Sequence, residues 1–133
     1  MTRYLLDTNA VSDLITNQSS VIRHLAEHLA ADDQVGLCWP VHYEILRGLF
    51  WRGATSKIHT YTQRIIPLLI WIELTDLDWE EAARLWADAR RRGRQLGDPD
   101  LLLAAIAHKE TMVLVSSDAD FDAFSVTRED WRI

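Results

Sequence analysis

Three short apolar runs, each cut off by a polar or helix-starting residue, punctuate the chain. Tyr4 to Leu6 stops at Asp7, Val35 to Trp39 stops at Pro40, and Met112 to Val115 stops at a pair of serines. Short apolar runs without alternation fit strands covered on both faces. Leu68 to Leu74 is apolar and rich in β-formers, and Val126 begins a last short strand. Between these runs the spacing becomes helical. Helices are expected from about Ala10, from Val21 to about Ala31, and from Pro40, where Val41, Ile45 and Leu49 recur at i, i+4, i+8. A further helix is expected from about Thr55 to Ile66. Asp78 with Glu81 three residues on resembles a capping box for a helix running to about Arg92, closed by Gly93. Asp98-Pro99 opens the next helix, the proline keeping Asp98 out of the α region and taking the first turn itself. Strands alternating with helices predict an α/β fold, a parallel sheet covered on both faces. No repeat, low-complexity tract or linker interrupts residues 1–133, so the chain reads as a single domain.

Composition narrows the class. The 133 residues are 48% hydrophobic and 26% charged with 5 Gly and 3 Pro, which excludes a disordered or collagen-like chain. No apolar run approaches the ~18 residues of a membrane span. The opening MTRYLLDTN meets an acid too soon for a signal peptide, and a single cysteine, Cys38, excludes an internal disulfide and a cysteine zinc cage. A cytoplasmic location is the expectation. The formal net charge of −6 argues against nucleic-acid binding by blanket phosphate neutralisation. It leaves open an enzyme whose acids gather around a metal.

The positions of the acids then matter more than their number. Ligands of doubly wound sheets bind beyond the carboxyl ends of the strands. Asp7 closes the first strand, Glu44 lies on the first turns of the helix leaving the second, Asp100 begins the helix leading to the last long strand, and Asp118 follows that strand by three residues. Each has an ordinary reading. Asp100 suits a helix N-terminus, Glu44 suits a solvated helix flank, and Asp118 and Asp120 suit a turn. Asp7 fits such a reading least well, because an acid ending a buried strand is poorly explained by turn chemistry. The helix after Asp100, LLLAAIA, is apolar on every side, so it should be buried, and a carboxylate at its start needs a partner. Together the four acids point to a divalent cation held by oxygen ligands, with Mg2+ the natural candidate, and to phosphoryl chemistry.

The segments YLLDTNAVSDLI, EILRG, GDPDLLLAAIA and LVSSDADF, in that order and spacing, resemble the PIN-domain ribonucleases, and within them the VapC-type toxins of bacterial toxin–antitoxin pairs. The resemblance covers essentially the whole chain. It implies a three-layer α/β/α sandwich with a mainly parallel central sheet. It also implies a Mg2+-dependent endoribonuclease, with Mn2+ able to substitute, in which Asp7, Glu44, Asp100 and Asp118 are catalytic and hold the metal. Thr8, Asn9 and Ser116 would support them, with Asp120 a secondary ligand or a turn residue. The family commonly has Thr where Ser116 stands, a change that keeps the hydroxyl. The partners implied are an RNA substrate, an antitoxin of the VapB type, and a second copy in a homodimer. The basic run Arg90, Arg91, Arg92 and Arg94 lies just before Asp98 and is a candidate RNA contact, set against its other role of balancing a helix C-terminus.

Four rival readings remain at this point. A haloacid-dehalogenase-like phosphatase would need an Asp where Asn9 stands. A zinc peptidase would use His24, Glu27 and His28, which fit an inverted H-x-x-E-H pattern without a third ligand. Third, the acids could serve a binding module without catalysis, or the chain could be a PIN nuclease that is not a toxin. His42, His59 and His108 read as packing or surface residues, and the six tryptophans as core or interface. Phe50 with Trp51 marks a possible exposed apolar patch.

Overall fold

In the computed structural model, which describes residues 1–133, β1 (Arg3–Leu6) forms the middle of a five-stranded sheet. The other strands are β2 (Gln34–Cys38), β3 (Ile70–Ile72), β4 (Val113–Val115) and β5 (Arg128–Glu129), in the order β3-β2-β1-β4-β5. All four pairings are parallel, with Leu5 opposite Gly36 on one side and Leu114 on the other. Leu5 and Leu6 are completely buried. Six helices accompany the sheet: α1 (Thr8–Ile15), α2 (Ser19–Ala30), α3 (Trp39–Trp51), α4 (Thr55–Thr60), α5 (Asp76–Arg91) and α6 (Asp98–Lys109). This is the expected three-layer α/β/α arrangement. No helix is long and apolar enough to cross a membrane.

The strand order decides where a ligand can sit. The chain steps outward from β1 to β2 to β3, then returns to lay β4 against the other edge of β1. The direction of winding reverses between β1 and β4, and a crevice opens there at the carboxyl ends. Sheet packing is close on the other side too. A Cβ on Gly36 would come within 2.8 Å of Ile72, so β2 accepts only glycine there without local movement.

Several local expectations shift. The helix expected over 55–66 is α-helical only to Thr60, continuing as a π turn at Tyr61–Ile65 and a 3-10 turn at Ile66–Leu68. Pro67 cannot donate the next helical bond, which ends the regular ladder. Helix α6 begins at Asp98 with Gly97 as its cap, so Asp98 is helical despite the following proline. Helix α5 is capped by Thr75, and Asp78 is the third residue of its first turn. The predicted pairing of Asp78 with Glu81 is thus displaced by one helical turn.

Asp78 instead becomes a staple between α5 and α6. Its Oδ2 accepts bonds from the Thr75 N–H at 2.8 Å and the Thr75 hydroxyl at 3.3 Å, and meets Lys109 Nζ of α6 at 2.8 Å. The carboxylate is fully buried, and Oδ1 has no partner. Beside it, Ala82, Leu101, Leu102 and Ala105 form a small second core. Removing the ammonium strands a buried charge. Lys109→Ala should therefore lower the unfolding free energy by about 3 kcal/mol in denaturant titration, whereas a change below about 0.5 kcal/mol would show the pair to be merely a surface contact.

Candidate active site

Asp7 is fixed by the end of the sheet. Its N–H donates to Val115 O at 3.1 Å, extending the β1–β4 ladder by one residue, and its Oδ1 accepts the Ala10 N–H at 2.7 Å as the cap of α1. The residue is 4% exposed. Burial raises its pKa, while the Ser116 hydroxyl and the Ala10 N–H pull it back down. Ser116, also buried, takes part in both sides of the junction. Its N–H donates to Glu129 O at 3.0 Å, and its Oγ accepts the Asp118 N–H at 3.0 Å. Asp118 then caps a 3-10 turn (Ala119–Ala123) by accepting the Asp120 N–H at 2.9 Å. Asp120 is exposed and serves the turn through its backbone.

The other two acids come from helices. Glu44, on α3, accepts a hydrogen bond from the Thr8 hydroxyl at the start of α1, and its Oε2 lies 3.7 Å from Arg47 one turn on. Asp100 stands in the first turn of α6, whose residues Leu101 to Ala107 are all buried. The predicted burial of that helix is therefore found, with Asp100 half-buried at its start. Burial pushes the Asp100 carboxyl up to about 6, with further contributions from the charges of Glu44, Asp7, Asp118 and Asp120. No hydrogen bond or cation offsets that rise. Four acids from four separate segments thus act on one another across the crevice between β1 and β4. As the side chains lie, no three His, Cys, Asp or Glu groups are drawn together tightly enough to hold an ion.

Of the remaining predicted site residues, Thr8 and Ser116 make the contacts just described, whereas Asn9 is exposed on the first turn of α1. In the basic run, Arg92 pairs with Asp88 at 3.0 Å, Arg90 lies 4.7 Å over the Trp86 ring, and Arg91 and Arg94 are exposed without an acidic partner. Two cations missed in the sequence stand nearer the acids. Arg47 touches Glu44, and its i+3 spacing was a usable signal. Arg132, paired with Asp13 at 2.7 Å, lowers the pKa of Asp7, and nothing in the sequence joins residues so far apart.

The histidine pattern is structural. The rings of His24 and His28 stack on buried Trp131, His28 Nδ1 pairs with Asp33 at 2.9 Å, and His24 Nε2 faces Ile133 O at 3.2 Å. Ring nitrogens so engaged, with no third ligand nearby, leave no zinc site. His42 bonds the Tyr61 hydroxyl at 2.7 Å, His108 faces Ser125 O, and His59 is exposed. Trp131 is the only tryptophan in the core. The other five are at the surface, as are Phe50 and Tyr43.

Comparison with known proteins agrees with this arrangement. The sequence profile of the PIN domain matches residues 4–126. The ribonuclease VapC11 of Mycobacterium tuberculosis is 30% identical over 127 residues, which cover 91% of this chain and 90% of that protein. Among solved structures, DNA-bound VapBC from Salmonella typhimurium superposes with a TM-score of 0.84 at 18% identity, over 98% of this chain and 99% of that one. VapBC2 from Rickettsia felis, bound to a DNA fragment from its promoter, gives 0.81 at 23% identity over 98% and 99%. The strand order, the acids at its switch point and these likenesses agree: the chain belongs to the PIN-domain family, among the VapC ribonucleases.

Proposed function

We propose that residues 1–133 act as a Mg2+-dependent endoribonuclease, the toxin of a toxin–antitoxin pair, with Asp7, Glu44, Asp100 and Asp118 as catalytic and metal-holding residues. The observation that carries this reading is the Asp100 carboxyl, raised first by burial and then by the charges of four neighbouring carboxylates, with no cation acting on it. An all-oxygen set with excess negative charge fits Mg2+ or Mn2+ and does not fit zinc. When bound, such an ion supplies charge neutralisation and an activated water for phosphodiester hydrolysis. The chain's own groups do the positioning. Asp7 is held rigid by the ladder and by Ala10. Ser116 ties it to the segment carrying Asp118. Thr8 holds Glu44 across from α3 and supports it through that hydrogen bond. Asn9 and Asp120 are exposed and close in sequence to the ring, suited to secondary contacts.

A protein antitoxin of the VapB type is the partner that this acidic crevice suits. An Arg or Lys from it would pair with several carboxylates at once, and an apolar helix would cover exposed Phe50 and Trp51. A homodimer is supported by another face. Two grooves of about 420 and 360 Å³ share Trp79 and Leu102, and are extended by Trp39 and Tyr43 on one side and Trp86 on the other. Exposed apolar surface of that kind is normally covered.

Asp7→Asn and Asp100→Asn should each abolish Mg2+-dependent cleavage of RNA and the growth arrest caused by expressing the chain without an antitoxin. Full activity in either variant, or cleavage undiminished in EDTA, would overturn the assignment. A harmless wild-type chain that still cleaves RNA would leave a nuclease that is not a toxin.

The pKa of Asp100 has a consequence for stability. Because the folded protein holds this proton more tightly than the unfolded chain, metal-free stability should fall as pH rises from about 4 to about 6. Asp100→Asn should thus stabilise the metal-free protein at pH 7, by about 1 kcal/mol once partial exposure is allowed for. Mg2+ affinity of the wild type, followed by calorimetry, should weaken below pH 6. An affinity unchanged between pH 5 and 7.5 would contradict a proton held on Asp100 in the metal-free site.

For the basic run, Arg91 and Arg94 are the members free to reach phosphate. Replacing both by Ala should reduce the slope of log K against log salt for single-stranded RNA by about 1.4, or 0.7 per contact. An unchanged slope would return all of Arg90, Arg91, Arg92 and Arg94 to a structural role.

Sedimentation at micromolar concentration should give the mass of a dimer, and Trp79→Lys should convert it to a monomer. A monomeric wild type would remove the homodimer.

A further inference from the structure

A second groove, of about 200 Å³, runs between α1 and α3 and has a different character. Thr8, Ser12 and Thr16 line it from α1, Glu44 and Arg52 from α3, and Lys57 from α4. Both long helices leave the carboxyl end of the sheet, so Thr8 and Glu44 mark the end at the acid ring while Thr16 and Arg52 mark the far end. Eight residues of α3 separate Glu44 from Arg52, about 12 Å along the helix.

The charge on this wall is not used by the protein. Neither Arg52 nor Lys57 forms an ion pair, although the chain carries six more acids than bases. The Arg52 side chain folds back along α3 over Gly48, where an added Cβ would stand 3.6 Å from Nη1. A single Cβ at 48 would be in ordinary contact with the guanidinium, and only a longer side chain there would compete with it for the groove. Beyond Glu44 the wall therefore offers two unpaired cations and the Ser12 hydroxyl, while the Thr8 hydroxyl donates to Glu44 and the Thr16 hydroxyl to Ser12 O.

We propose that this groove carries the phosphodiester backbone of the RNA strand, with Arg52 and Lys57 contacting phosphates beyond the one that is cleaved. The proposal rests on the ribonuclease reading above and extends it to how the substrate is held. Hydroxyls and cations along a track are the usual partners of phosphate oxygens, and they fix the register of a strand without reading its bases. An acidic protein segment would also suit two cations, but the groove opens directly onto Glu44, where a phosphodiester is required. The Arg52 guanidinium, folded back to Gly48 and paired with none of the four acids, is placed for a phosphate beside the reacting group rather than for the group itself. Its contribution should therefore appear in binding and leave the chemical step alone.

The test uses the full chain and a fluorescent 20-nucleotide single-stranded RNA of mixed sequence. Cleavage is followed with Mg2+, and binding by anisotropy in the Asp100→Asn background. Arg52→Ala with Lys57→Ala should raise KM about tenfold with kcat within about twofold. It should lower the salt slope by about 1.4. Arg52→Lys should keep the slope, and Gly48→Leu, which fills the groove without changing charge, should reproduce the rise in KM. An unchanged KM and slope in the double variant, with wild type cleaving normally, would overturn the proposal. So would loss of antitoxin binding alone, which would give the groove to a protein segment. Absence of cleavage by wild type would overturn the ribonuclease reading, while a slope that still fell by the stated amount would support the groove as an RNA-binding track.

Discussion

The β1–β4 junction is the constraint on which the rest of the molecule depends. Two parallel strands pair there, the ladder runs one residue past β1, and that residue is Asp7. A carboxylate held by backbone hydrogen bonds at the end of a completely buried strand cannot swing away from its neighbours. Ser116 extends the same junction toward β5 while its hydroxyl links Asp7 to the segment of Asp118. The sheet thus fixes two acids directly, and α3 and α6 deliver two more from flanking layers.

This arrangement sets stability against function. The four carboxylates around Asp100 are only partly balanced: Arg132 acts on Asp7, and Arg47, 3.7 Å from Glu44, is on an exposed side chain, while no cation acts on Asp100. A buried acid that needed only to be stable would have a partner, as Asp78 has in Lys109 at 2.8 Å. The contrast between buried Asp78 and half-buried Asp100 separates a carboxylate paired by the protein from one that is not.

The surface divides along the same lines. Apolar grooves gather around Trp79, and a separate polar groove holds Arg52 and Lys57. An acidic chain that acts on RNA needs its few free cations near the reacting end, because overall charge repels the substrate. Half of the fourteen lysines and arginines are tied up in ion pairs. That makes the placement of the free ones more informative than the net charge of −6.

The sequence alone determined the alternation of strands and helices, the buried helix after Asp100, and the exit of each acid from its own element. Those features are local, written in apolar spacing and in single residues such as Asp7 and Pro40. It also carried the four motifs on which the family resemblance rests. Only the tertiary structure decided that Asp78 pairs with Lys109 rather than heading its helix, that His24 and His28 stack on Trp131, and that five tryptophans face outward. It also decided that Arg132 lies near Asp7 and that Arg52 and Lys57 share a wall with Glu44. Each of these joins residues on different elements. Local spacing fixes which face of an element is apolar, whereas the order β3-β2-β1-β4-β5 fixes which faces meet.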